Sequence, residues 1–223
     1  MSELEKFCQE YIQKGGYFAP DYDRDHEVLK KVKKTFPVIN QKFEQQLIDL
    51  LKQETKKEFV GDLMYYYKNI PDLLINELLL VGINYGDPSF NRIFIRPSIK
   101  AEGTKKIIDK LCQFFQFSDK KTKIGISKLF YWIGPKNKKE LDSIHTLVLR
   151  RIIEENDIIE NYFYFHYFFK ENDYLSVYNK ELFLQAENLL KSIPDGSNSL
   201  EEIIKQDKVK LEFARNQLGW KIE

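Results

Sequence analysis

The feature that most constrains this chain is the spacing of its apolar residues, which recur three and four positions apart through most of the sequence. Between Asn40 and Lys57 they fall at Phe43, Leu47, Ile48, Leu50 and Leu51, the stripe of an amphipathic helix. Phe59, Val60, Leu63, Met64, Tyr66 and Tyr67 repeat the pattern until Pro71 interrupts it. Proline suits the first turn of a helix, where an amide has no intrahelical acceptor to lose. The next helix is therefore expected through Leu74, Leu78 and Val81, closing near Gly82. Glycine (10) and proline (7) are scarce in 223 residues, whereas sheets with many tight turns use more of both. The expected fold class is all-α, built from antiparallel helix pairs.

The pattern continues downstream. Thr104 opens a helix with Ile107, Ile108, Leu111, Cys112, Phe114 and Phe115 on its apolar side, and Ser118-Asp119 supplies capping residues for the next. That helix carries Ile124, Leu129, Phe130, Trp132 and Ile133 and stops at Gly134-Pro135. Leu141, Ile144, Val148 and Ile152 follow, with a break expected at Asn156-Asp157. An aromatic run occupies Tyr162 to Phe169, and a helix is expected from Lys180 to Ser192. Pro194 to Asn198 reads as a loop, Ser199 and Glu202 as a capping box, and a last helix should reach Leu218 before Gly219. Strand-like alternation is confined to Arg92–Ile95. The stretch from Asn84 to Gly103 reads as irregular, long for a helix connection, and a candidate insertion that contributes to binding.

Phe59 to Gly82 and Ile107 to Gly134 read as two copies of one unit. Leu63-Met64 and Tyr66-Tyr67 match Leu111-Cys112 and Phe114-Phe115, and Val81-Gly82 matches Ile133-Gly134. One such pair cannot bury its apolar face alone, so copies should stack. In the second copy, Asp119 precedes Thr122-Lys123 and an apolar run to Ile133-Gly134-Pro135, with small residues at Gly125 and Ser127. This resembles a HEAT-like (armadillo-type) repeat over about residues 59–135. The resemblance implies a single-domain, right-handed α-solenoid whose surface binds another macromolecule. Residues 1–58 would cap it at one end, and 136–223 would add further pairs and a C-terminal cap.

Composition bounds the function. With 43% hydrophobic and 31% charged residues the chain is a globular mixture, and 14% aromatics predict a ring-rich core. Two cysteines, Cys8 and Cys112, are too few for a disulfide framework or a cysteine-rich zinc site. With no leader-like start, they predict a reducing cytoplasm. The most apolar stretch, Ile70 to Ile83, is too short to span a bilayer and carries Asp72, Asn76 and Glu77, so no membrane role is expected. Lysine outnumbers arginine 29 to 6, a bias of AT-rich, bacterial-type genomes.

No motif points to catalysis. Asp21 to Glu27 resembles a calcium loop briefly, but His26 and Val32 stand where such a loop needs glycine and a bidentate acid. It reads instead as a helix start with acids favoured by the dipole. His26, His145 and His166 lack metal-ligand spacing. The run around His166 could form an aromatic cage or a base-stacking platform, though such runs are usually core. Gly103-Thr104-Lys105 lacks the glycine and strand of a phosphate loop, and neither a nucleophile elbow nor a dinucleotide fingerprint occurs. No cofactor, metal or catalytic residue is expected.

Charge is more informative. Lys100 to Glu140 holds eleven lysines against four acids, net +7, while Ile153 to Glu187 is net −6. Such runs are usually solvated faces, but in a stack they would place a basic ridge beside an acidic one. The expected function is a non-catalytic adaptor, regulator or inhibitor that binds a protein partner through Lys105, Lys106, Lys120, Lys121, Lys123 and Lys128. One alternative is a toxin-neutralising immunity protein. Another is a nucleic-acid binder resembling the HEAT-like DNA alkylation-repair glycosylases, a family with a cationic channel; scarce arginine weighs against it.

Overall fold

The computed structural model describes residues 2–16, 27–85, 89–133, 138–155, 157, 160–161, 163–164, 168–169 and 175–191. These residues are helical throughout their regular elements, with no strand among them. The chain divides into two compact units, Met1–Ile107 and Ile108–Glu223, a division that falls inside a helix. Outside the described residues lie Asp21 to His26, His166, the Gly134-Pro135 stop, and every feature expected after Ser192. No helix of the described residues is long and apolar enough to cross a membrane.

The first unit is built from α1 (Glu3–Gln13), α2 (Glu27–Thr35), α3 (Gln41–Leu51), α4 (Lys57–Met64), α5 (Asp72–Asn84) and α6 (Arg92–Glu102). Ser2 starts α1 as a capping box: the Glu5 amide donates to Ser2 Oγ at 3.2 Å, and the Ser2 amide to Glu5 Oε2 at 2.7 Å, covering two amides that lack intrahelical acceptors. Leu4, Cys8 and Tyr11, one turn apart, are the buried stripe of α1. Asn40 caps α3 by accepting the Phe43 amide at 2.9 Å, and α3 buries the predicted Phe43, Leu47, Ile48, Leu50 and Leu51. Pro71 stands just before α5 and accepts the Ile75 amide at 3.0 Å.

Helix α6 corrects the sequence reading, which leaves 84–103 as an irregular insertion. Pro97 lies within α6 and has no amide to donate to the turn before it, a cost of about 3 kcal/mol. Ile93, Phe94 and Ile95 are nevertheless almost fully buried, each contributing roughly 1.5–3 kcal/mol. Burial outweighs the lost bond. The segment is core, packed on α5 and α4. Here α4 comes so close that a Cβ on Gly61 would meet Ile93 Cγ1 and Phe94 Cε1 at 3.1 Å and the Ile93 carbonyl oxygen at 3.2 Å. Both α4 and α5, expected as one pair, pack more extensively on α6 and α3 than on each other.

The second unit begins within α7 (Thr104–Phe117) and continues with α8 (Lys120–Leu129), 3-10 turns at Phe130–Trp132 and Lys138–Leu141, α9 (Asp142–Glu155) and α10 (Val177–Lys191). Gly103, at φ 87°, joins α6 to α7 in a conformation that side chains disfavour. Asp119 caps α8 as expected, accepting the Thr122 amide at 2.8 Å. Helices α9 and α10 form the most extensive pairing of the unit. A polar clasp fixes their register: the buried Asn179 side chain donates to the Asp142 carbonyl at 3.2 Å and accepts from Thr146 Oγ1 at 2.9 Å. The predicted ring-rich core is present, with Phe130 on Phe168 at 4.5 Å and Phe115 on Tyr164 at 5.6 Å between centroids.

Candidate partner-binding corner

Helix α7 sets its apolar stripe, Ile107, Ile108, Leu111 and Phe115, inward. The opposite side carries exposed Lys105, Lys106, Asp109, Gln113, Gln116 and Phe117. Phe117 stands seven residues after Lys110, two turns along the same line of the helix, and is 88% exposed, more than any other large apolar residue described. The chain then turns at Ser118, and α8 begins with its amides closed by Asp119. Those amides and the flanking Lys121 and Lys123 hold the Asp119 carboxyl below its ordinary pKa. Lys121 is exposed directly beyond this cap. The α7–α8 corner thus presents one aromatic ring and one lysine on a short, capped turn.

The six lysines read from the sequence differ in exposure. Lys105 and Lys106 are exposed in the first turn of α7, and Lys121 is exposed at the corner. Lys120 forms an ion pair with Asp157, a residue of the acidic stretch. Lys123 is half-buried, its Nζ 5.8 Å from the Phe115 ring centroid. Lys128 is 3% exposed, with Nζ 5.9 Å from the Phe163 centroid. One turn after buried Ile124, it sits on the inward side of α8. A charge count along the chain cannot see this.

The acidic stretch is also engaged internally. Asp157 Oδ1 accepts the Glu160 amide at 3.0 Å. Glu160, 2% exposed, accepts two bonds from Arg151, at 3.0 Å from Nε and 3.2 Å from one terminal nitrogen, and a third from the Tyr164 hydroxyl at 2.8 Å. Arg151 also pairs with Glu155 at 2.7 Å. This planar, bidentate arrangement is the strong form of a carboxylate contact. Much of the expected seam is therefore structural pairing within the second unit.

Among the described residues, His145 and Cys8 are buried and Cys112 is half-buried. His145 is 3% exposed beside Phe169, 5.4 Å between centroids, and burial pushes its pKa down to about 4. It is neutral near pH 7. Cys8 and Cys112 are free thiols, and burial pushes both up, Cys8 to about 11, which suppresses the nucleophilic thiolate. Among the described residues no group of three or more His, Cys, Asp or Glu could hold a metal ion. Sequence reasoning missed Phe117; the available signal was its position on the polar side of an otherwise regular stripe. Comparison with family models, curated proteins and solved structures finds no match to this chain.

Proposed function

We propose that this chain is a non-catalytic helical binding protein, an adaptor, regulator or inhibitor, that takes an acidic protein partner at the α7–α8 corner. The observation that carries the reading is Phe117, 88% exposed at the end of α7, four residues before the solvent-facing Lys121. An exposed aromatic side chain at a helix end is suited to seat in a partner's pocket, where burial of a few side chains supplies most of the affinity. A neighbouring lysine favours acidic surfaces and steers their approach. The role requires a rigid helical support and makes no demand on solenoid stacking.

The test is capture from native lysate with Phe117→Ala and Lys121→Glu, each against the unaltered chain. Both should reduce recovery of the same acidic protein, Phe117→Ala by at least about tenfold. Lys120→Glu is a poor probe, because it also breaks the pair with Asp157. Full retention of the partner by both variants removes the corner from consideration. Retention of the chain on DNA that collapses steeply with salt would move the reading to nucleic acid.

A further inference from the structure

We infer that α10 is a self-association surface, through which two copies pair as antiparallel helices about a two-fold axis between residues 180 and 181. One side of α10 is occupied: Asn179 and Ala186 are buried, and the helix packs on α9. The other side is not covered by the described residues. Val177 is 79% and Leu184 56% exposed, with Lys180, Glu181, Gln185 and Asn188 exposed between and beyond them. These residues recur at the three-, four- and seven-residue intervals that keep one helix face together.

The order along that face selects the occupant. Val177, Lys180, Glu181 and Leu184 read apolar, basic, acidic, apolar, and reversing the direction restores the pattern with the charges exchanged. An isologous contact requires this kind of self-complementarity, since each surface must match its own rotated copy. With Val177 opposite Leu184 of the second copy, Lys180 falls opposite Glu181 of the second copy, and the symmetry repeats both contacts. Sliding one turn either way sets Val177 against Lys180, or Leu184 against Glu181. Apolar packing and charge thus agree on a single register. One helix pair buries little area, so the dimer is concentration-dependent, with a dissociation constant on the order of 10–100 µM.

Sedimentation of the full chain over a concentration series tests this. The unaltered chain should pass from one chain mass to two, and Leu184→Asp, at an exposed position that tolerates a polar residue, should stay monomeric. Lys180→Glu and Glu181→Lys should each weaken association about tenfold, and the two together should restore it. Under oxidation, a mixture of Val177→Cys and Leu184→Cys chains should cross-link faster than either alone, because only the antiparallel register brings those positions together. A chain monomeric up to about 1 mM overturns the inference and assigns the face to residues 192–223 or a foreign protein. A dimer indifferent to Leu184→Asp, an unrestored double exchange, or no preference in the mixture overturns it equally.

Discussion

The two units solve the same packing problem with different interiors. In the first, buried polar side chains among the described residues are few: Asp62, Asn91 and Ser98. Asp62 accepts the Tyr11 hydroxyl at 2.6 Å, and Ser98 returns its hydroxyl to the Phe94 carbonyl at 2.9 Å. The second buries Ser127, Lys128, His145, Glu160, Asn161 and Asn179. Apolar burial is non-directional and tolerant, whereas a buried charge demands its partner. The first unit should therefore respond to changes of volume, and the second to changes of charge and pH.

The largest effect expected to expose this difference comes from Arg151→Ala. It strands Glu160 at 2% exposure with only the Tyr164 hydroxyl and the Asp157-capped backbone around it. A loss of about 3–5 kcal/mol should follow. Hydrogen exchange should report it in α9 while amides of α3 and α5 keep their protection; equal loss in both units breaks the comparison. Next is acid. Burial holds the folded His145 near pH 4, beneath its ordinary 6.5, so between those values the unfolded chain binds the extra proton. Stability is then intact above about pH 6.5 and falls by about 3 kcal/mol on acidification to pH 4. His145→Leu should flatten that slope in urea titrations. A slope unchanged by the substitution assigns the acid sensitivity to other groups.

The smallest of the three probes belongs to the first unit. Gly61→Ala places a methyl 3.2 Å from the Ile93 carbonyl oxygen, a backbone atom that cannot rotate aside. Overpacking costs roughly 1–3 kcal/mol, against a helix-propensity gain of up to about 1 kcal/mol for alanine over glycine. A net loss in thermal stability, without pH dependence, would sharpen the contrast; a gain would show that α4 can shift away from α6.

Helix type was legible because periodicity is a local property. The stripes of α3 and α7, the Asp119 cap and the helix after Pro71 could all be read residue by residue. Helix α6 could not, since Pro97 and the alternation of Arg92–Ile95 are local signals against a helix. They are overridden by tertiary burial against α4 and α5. The site was legible in composition and not in direction. Lys121 and Lys128 are equivalent in a charge count, yet one faces solvent and the other lies 3% exposed. Phe117 was hidden for the converse reason: an aromatic residue in a helix is ordinarily counted toward the core.

The ion pair between Lys120 and Asp157 reaches beyond the interior it helps hold. Around the α7–α8 corner, Lys120 is already matched by its own carboxylate, Lys123 lies against a ring, and Lys128 is inside the fold. For the proposed partner, the counterions released should number those displaced from Lys121 and its few exposed neighbours, not the seven implied by the net charge of 100–140. Ionic strength should then change the association rate modestly. On the proposed reading, residence on the corner would instead be governed by the ring of Phe117, which salt does not screen.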